Sequence, residues 1–273
     1  MKVIAVGTLK GGAGKTTMLF NIAGVLAEKK KVLLIDLDPQ CNLSGACGVK
    51  QKTKLSLRSK PKSYPSSRDI FRDDVESCEP EDLLRKAPID GLPLLDIIPS
   101  HILMTAVELF MVNKSAREWV LDNYIKDHKD FFEQYDYVLL DTNPSMGVVN
   151  QNAFTAADSI ILTTDISEDA IEGVEAFCYL WDGVRKALRK PDNIKALVIN
   201  NADRRLSLTS ELQEYCEDDE DLRDLLIQHP IYSKAIYKDA RLARTPVNKL
   251  KKGKNATADI KAVVNELFER GVF

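Results

Sequence analysis

Between positions 9 and 17 the chain reads Leu-Lys-Gly-Gly-Ala-Gly-Lys-Thr-Thr. Gly11, Gly12 and Gly14 let backbone N–H groups turn inward around one anion, and a helix opening at Lys15 presents its positive N-terminal end to the same charge. Lys15 is spaced to reach the outer phosphates of a nucleotide such as ATP, and the Thr16 hydroxyl to ligate Mg²⁺; Ala13 and Thr17 complete the cradle. The ordinary pattern, Gly-x-x-x-x-Gly-Lys-Ser/Thr, is broken at its first position, where Leu9 stands, and a second lysine, Lys10, precedes the glycine pair. Three carboxylates join this loop: Asp36, Asp38 and Asp141 each lie at the end of an apolar run. Mg²⁺ keeps several waters and takes few protein ligands, so Thr16 with nearby carboxylates suits it. For any one of these aspartates, capping of a turn or helix is the competing reading.

Such a loop works between a strand and a helix. Residues 3–7 read as the strand and 15–28 as the amphipathic helix, followed by a second buried strand at 31–37. Further strands are expected at 94–99, 135–141, 159–163 and 194–200. Helical runs are expected at 67–74, 79–86, 101–112, 116–132, 148–157, 168–188 and 256–270. Continuous apolar strands suit a parallel sheet covered on both faces. The alternation predicts one α/β domain over 1–273: a doubly wound, mostly parallel sheet with helices on both faces. Ligands of such sheets bind at the carboxyl edge of the strands, where the three aspartates fall.

Composition limits the alternatives. The 273 residues are 44% hydrophobic and 29% charged, which reads as a soluble globular chain. No apolar run approaches the roughly 20 residues of a membrane span, and the N-terminus lacks a signal-peptide layout. Five cysteines, an odd number, then point to free thiols in a reducing cytoplasm. Cys41 and Cys47 fit no zinc spacing, and His101, His128 and His229 have no nucleophile partner in view. A net charge of −3 gives no bulk argument for nucleic acid, so any DNA contact must be a local patch. Residues 50–67 form a basic Ser/Pro-rich stretch that suits a flexible surface loop and a DNA contact equally. The acidic segment 217–224 reads as an exposed helix start or loop, and 228–261 is strongly basic, with nine Lys/Arg against two Asp.

Lys10 to Thr17, with Asp36-Leu37-Asp38-Pro39-Gln40, Asp141-Thr142-Asn143-Pro144-Ser145 and Ala170-Ile171-Glu172-Gly173, resembles the deviant Walker A ATPases of the ParA/MinD family. Within it the chain is most like the short, Soj-like partition proteins that lack an N-terminal helix-turn-helix. The likeness runs from residue 1 to about 200 and more weakly to 267. It implies a P-loop fold, weak intrinsic ATP hydrolysis, and a nucleotide-sandwich homodimer in which Lys10 reaches the partner's ATP. By the same resemblance Asp38 orients the attacking water, Asp141 holds Mg²⁺ through water, and Asp36 lies near the ion. Asn143 replaces a family proline in the γ-phosphate-sensing loop, which puts that loop's stiffness in question. Asn200 or Asn201, ending a strand, matches an adenine-binding asparagine or is a turn residue. Arg204 and Arg241 fall where relatives carry DNA-contacting arginines, with Arg205 and Arg244 as alternatives; Lys249, Lys251, Lys252 and Lys254 enlarge the patch. Implied partners are nonspecific DNA and a ParB-like centromere-binding protein, with a nucleoid location.

Three other readings compete. A MinD-like membrane switch needs a basic amphipathic C-terminal helix with spare apolar residues, and the tail here carries two glutamates against one arginine. A dethiobiotin-synthetase-like ligase has no use for Lys10. A nitrogenase-iron-protein-like role needs cluster cysteines, and neither Cys178 nor Cys216 sits in such a motif.

Overall fold

The computed structural model describes residues 1–49, 64–72, 78–167 and 169–273. Its elements alternate: β1 (Lys2–Gly7), α1 (Lys15–Leu26), β2 (Val32–Asp36), α2 (Asn42–Ala46), α3 (Pro80–Leu83), β3 (Leu95–Ile98), α4 (Val107–Met111), α5 (Val120–Asp127), α6 (Lys129–Phe132) and β4 (Tyr137–Asp141). Then come α7 (Val148–Ala156), β5 (Ser159–Thr164), α8 (Ala170–Ala187), β6 (Ile194–Ile199), α9 (Leu208–Asp218), α10 (Ile236–Ala243) and α11 (Lys254–Glu269). The strands form one sheet in the order β3-β2-β4-β1-β5-β6, and every neighbouring pair is parallel.

The two-residue period of a strand divides the core between the two faces of this sheet. Val3 and Ala5 of β1, Leu33 and Ile35 of β2, and Val138 and Leu140 of β4 join the helices α5, α7 and α8. Ile4, Val6, Val32, Leu34 and Leu139 join α1 and α11 on the other face. The doubly wound expectation therefore holds in a fully parallel form.

The first face is anchored by aromatic contacts. Phe154 meets Phe177 at 5.1 Å and Trp181 at 5.6 Å, both edge-on, and the Trp181 indole N–H donates to Asn193. Phe154 is fully buried, so Phe154→Ala is expected to cost about 3–5 kcal/mol through lost burial and a cavity. Urea unfolding measures it, and a loss under 1 kcal/mol would show that this layer repacks.

Two long helical runs expected from the sequence are interrupted. The first becomes a 3₁₀ turn, Ile102–Ala106, followed by α4, with the His101 imidazole accepting the Leu103 N–H at its start. The second breaks at His128 between α5 and α6. The acidic segment closes α9 with Glu217 and Asp218 and continues as a turn, so of the two expectations the loop holds and the helix start does not. Most of the basic stretch, residues 50–63, lies outside the described residues. Its end does not behave as a loose loop: Ser66 and Ser67 are buried, and the Ser67 hydroxyl donates to the Asp36 carbonyl at 2.5 Å.

Candidate nucleotide-binding site

β1 delivers the glycine loop to the carboxyl edge of the sheet. Gly12 (φ 89°) and Gly14 (φ 78°) occupy the left-handed region, which a Cβ disfavours. At Gly14 there is also no room, since a Cβ would lie 2.3 Å from the Asn200 amide nitrogen. α1 then starts with no side chain capping its first turn, leaving those N–H groups to an anion. The loop lines a cavity of about 340 Å³ together with Asp38, Gln40, Pro144, Tyr237 and Arg241.

The neighbouring strands bring the expected side chains to this cavity. The Thr16 hydroxyl donates to Asp141 Oδ2 at 2.8 Å, while Asp141 Oδ1 is buried with no hydrogen-bond partner. A buried carboxylate oxygen left over beside a hydroxyl fits the water shell of Mg²⁺, which takes few protein ligands. Asp36 is committed elsewhere. Its Oδ2 accepts the Ser44 backbone N–H at 2.8 Å and the Ser44 hydroxyl at 2.6 Å, and its Oδ1 accepts the Asp38 N–H. Thr16 and Asp141 thus offer the ion an oxygen with no other partner, while Asp36 holds the β2–α2 turn beside them. Asp38 uses Oδ1 to close that turn on the Gln40 N–H.

Burial dominates the electrostatics. Lys15 is only 7% exposed, and desolvation lowers its pKa against the opposing pull of Asp141 and Asp38. Burial raises the pKa of Asp36 and, separately, of Asp141; their mutual repulsion adds to the rise at Asp36, while Lys15 and Thr16 oppose it at Asp141. The folded, metal-free chain therefore holds protons that the unfolded chain has released. Stability from this source is present below about pH 4, the ordinary carboxylate value, and is lost as pH rises through the raised folded values. Bound Mg²⁺ needs the ionised form, so saturating Mg·ATP is expected to raise the melting temperature more at about pH 8 than at about pH 6. Equal shifts in a thermal melt would mean that Asp141 is already ionised.

Three expected residues sit differently. Lys10 donates to the Ser167 hydroxyl and pairs with Asp165 at 3.6 Å and Asp169 at 4.0 Å, all in the loop after β5. Asn200 and Asn201 brace the glycine loop from beneath, donating to the Ala13 and Gly12 carbonyls at 2.9 and 3.3 Å. Each amide thereby spends one of its two N–H donors on the loop. Thr163 also donates to the Ala13 carbonyl, a support that no sequence motif announced. At the third loop Asn143 is held by Asn150, whose amide donates to the Asn143 carbonyl and side-chain oxygens, both at 2.8 Å. Hydrogen bonds thus supply stiffness that the missing proline would have given.

The basic residues are not gathered in one place. Arg204 is exposed, its guanidinium 4.2 Å from the Tyr232 ring centre, whereas Arg205 is tied to Asp203. Arg241 instead lines the glycine-loop cavity. Lys249, Lys251, Lys252 and Lys254 are exposed around the turn before α11. No helix among the described residues is long and apolar enough to cross a membrane, and α11 buries Ile260, Val263, Val264 and Leu267.

Comparison with known proteins follows this geometry. The sporulation initiation inhibitor protein Soj of Bacillus subtilis is 29% identical over 250 residues, 90% of this chain and 87% of its own. The structure of apo McdA from Cyanothece superposes with a TM-score of 0.81 at 20% identity, covering 98% of this chain and 99% of that one. Cobyrinic acid a,c-diamide synthase from Mycobacterium smegmatis, solved with an ATP analogue and magnesium, shares the fold with a TM-score of 0.77 at 23% identity, covering 99% and 95%. A family model described as an AAA domain matches residues 1–196, and with it the chain belongs to the P-loop ATPases of the ParA/MinD type.

Proposed function

We propose that this protein is a DNA-partition ATPase. It binds Mg·ATP in the glycine-loop cavity, dimerises across the nucleotides, coats DNA without sequence preference, and is released when a ParB-like partner triggers hydrolysis. The observation that carries this is the pair of lysines in one loop. Lys15 is buried in the cradle, whereas Lys10 points out of it onto the loop after β5, where its surface ion pairs would have to be exchanged for a contact with a second subunit. Relatives named for partition support the same reading: the ParA chromosome partitioning protein of Caulobacter vibrioides is 29% identical over 213 residues.

In hydrolysis the backbone N–H groups of the loop and Lys15 hold the phosphate chain, and Asp38 orients the water in line with the terminal phosphorus. Thr16 and Asp141 would hold Mg²⁺, which would supply charge neutralisation during phosphoryl transfer. Asn143, held by Asn150, belongs to the loop that, by the family resemblance, would sense the terminal phosphate. Leu109 and Phe110 remain 75% and 65% exposed on α4, whose Glu108 accepts the first N–H groups of α7 behind that loop. An apolar surface there suits a second copy of the chain.

Duplex DNA binding is expected to require ATP and to weaken steeply with salt, because phosphate contacts release counterions and carry no sequence information. Replacing Arg204, Lys251 and Lys252 together by alanine is expected to flatten the log–log salt slope by about one unit per lost contact in each subunit. Fluorescence anisotropy over a salt series measures it; an unchanged slope would place the DNA surface elsewhere. The membrane-switch alternative is disfavoured by α11, whose apolar face is spent against α1 and the sheet. Co-sedimentation with liposomes in ATP separates the two.

A further inference from the structure

The cavity has a wall that the nucleotide motifs do not supply. α10 puts Tyr237 and Arg241, one turn apart, on the lining together with Phe20, Asp38 and Gln40. Arg241 Nη2 donates to Asn42 Oδ1 at 2.6 Å. Asn42 opens α2 directly after the turn that carries Asp38, so this bond ties α10 to the segment expected to place the water. The guanidinium is thus steadied by a neutral amide, and of its five N–H donors this bond takes one. Apart from Lys15, sunk at the base, Arg241 is the cation on this lining.

We infer that Arg241 binds a phosphate oxygen of the nucleotide, resting on the reading that the glycine loop takes ATP. A planar guanidinium can grip two phosphate oxygens at once, which a lysine ammonium cannot. The Tyr237 ring, packed against the core beside α11, fixes the helix that carries it.

The test is the affinity of fluorescent ATP and ADP analogues, with Mg²⁺ and without DNA, for the natural chain, Arg241→Ala, Arg241→Lys and Lys15→Ala. Arg241→Ala is expected to weaken binding about tenfold or more, the usual effect of losing a hydrogen bond to a charged group. Arg241→Lys should recover part of the loss. Weakening for ATP alone places the guanidinium on the terminal phosphate, and equal weakening for both places it on the inner ones. Arg241 is exposed, so Arg241→Ala should melt like the natural chain without nucleotide. Natural affinity in Arg241→Ala, with binding lost in Lys15→Ala, overturns the inference and leaves the ATP site standing. Loss of DNA binding in that same variant at saturating ATP would assign Arg241 to the DNA surface instead. No nucleotide binding by the natural chain would overturn the ATP reading, and this inference with it.

Discussion

Asp38→Ala is expected to hydrolyse ATP at least a hundredfold more slowly than the natural chain while still binding it. The reason lies in how the cavity divides its work. The phosphate cradle is made of backbone N–H groups, Lys15 and the Thr16–Asp141 pair, and Asp38 belongs to none of these. Its carboxylate is 6% exposed on the cavity wall, one oxygen closing the turn onto Gln40. A positioned acid or base of this kind contributes typically 10²–10⁴-fold to a rate. Burial raises the Asp38 pKa while Lys15 holds it down, so removing the carboxylate also takes away a negative charge beside the phosphates. Binding should therefore hold or tighten, and the variant should stay dimeric and on DNA after the partner is added. Asp141→Ala should differ, weakening Mg²⁺ and nucleotide together. Single-turnover hydrolysis with a filter-binding measurement distinguishes the two variants. Hydrolysis by Asp38→Ala at the natural rate would pass the water to another group, with Asp36 the first to examine.

Lys10→Ala is expected to abolish the ATP-dependent dimer without unfolding the subunit. Lys10 is 28% exposed and its ion-pair partners Asp165 and Asp169 are 22% and 80% exposed. Pairs at such a surface contribute about 0–1 kcal/mol, so the monomer should scarcely register the loss. A lysine serving the partner's ATP behaves otherwise, because its charge then meets a triphosphate in an enclosed interface. Light scattering with and without ATP decides it. A dimer of natural strength in the variant removes the cross-subunit role, and a large drop in melting temperature would mark Lys10 as a structural residue.

Much of this site was legible in the sequence because its parts are local. A glycine loop between an apolar run and a helix, and aspartates ending apolar runs, are patterns within a dozen residues. They located Lys15, Thr16, Asp38 and Asp141, and the alternation of runs located every strand. The supports were not legible, because they depend on which strand ends become neighbours. Nothing near Asn200 indicates that its amide would lie under Ala13, and nothing near Asp36 indicates that Ser44 would occupy its Oδ2. The placement of the basic residues was not legible for the same reason. Charge counted along 228–261 treats Arg241 and Lys251 alike, whereas both are exposed and Arg241 alone of the two also lines the glycine-loop cavity. The 3₁₀ start capped by His101 and the break at His128, whose ring nitrogen shares the Tyr124 carbonyl, rest on side-chain hydrogen bonds that apolar periodicity does not register.

The strand order carries a consequence for how the chain acquires its site. Because β4 inserts between β1 and β2, Thr16 meets Asp141 across 125 positions and Ala13 meets Asn200 across 187. Contacts of this separation must overcome large loop-closure entropy, so such sheets fold slowly and late. During synthesis the glycine loop leaves the ribosome first yet waits roughly ten to forty seconds for its brace, at about 5–20 residues per second. A ligand stabilises only the state that binds it. The Asn200 brace under Ala13 is therefore in place for a nucleotide only once β6 has joined the sheet.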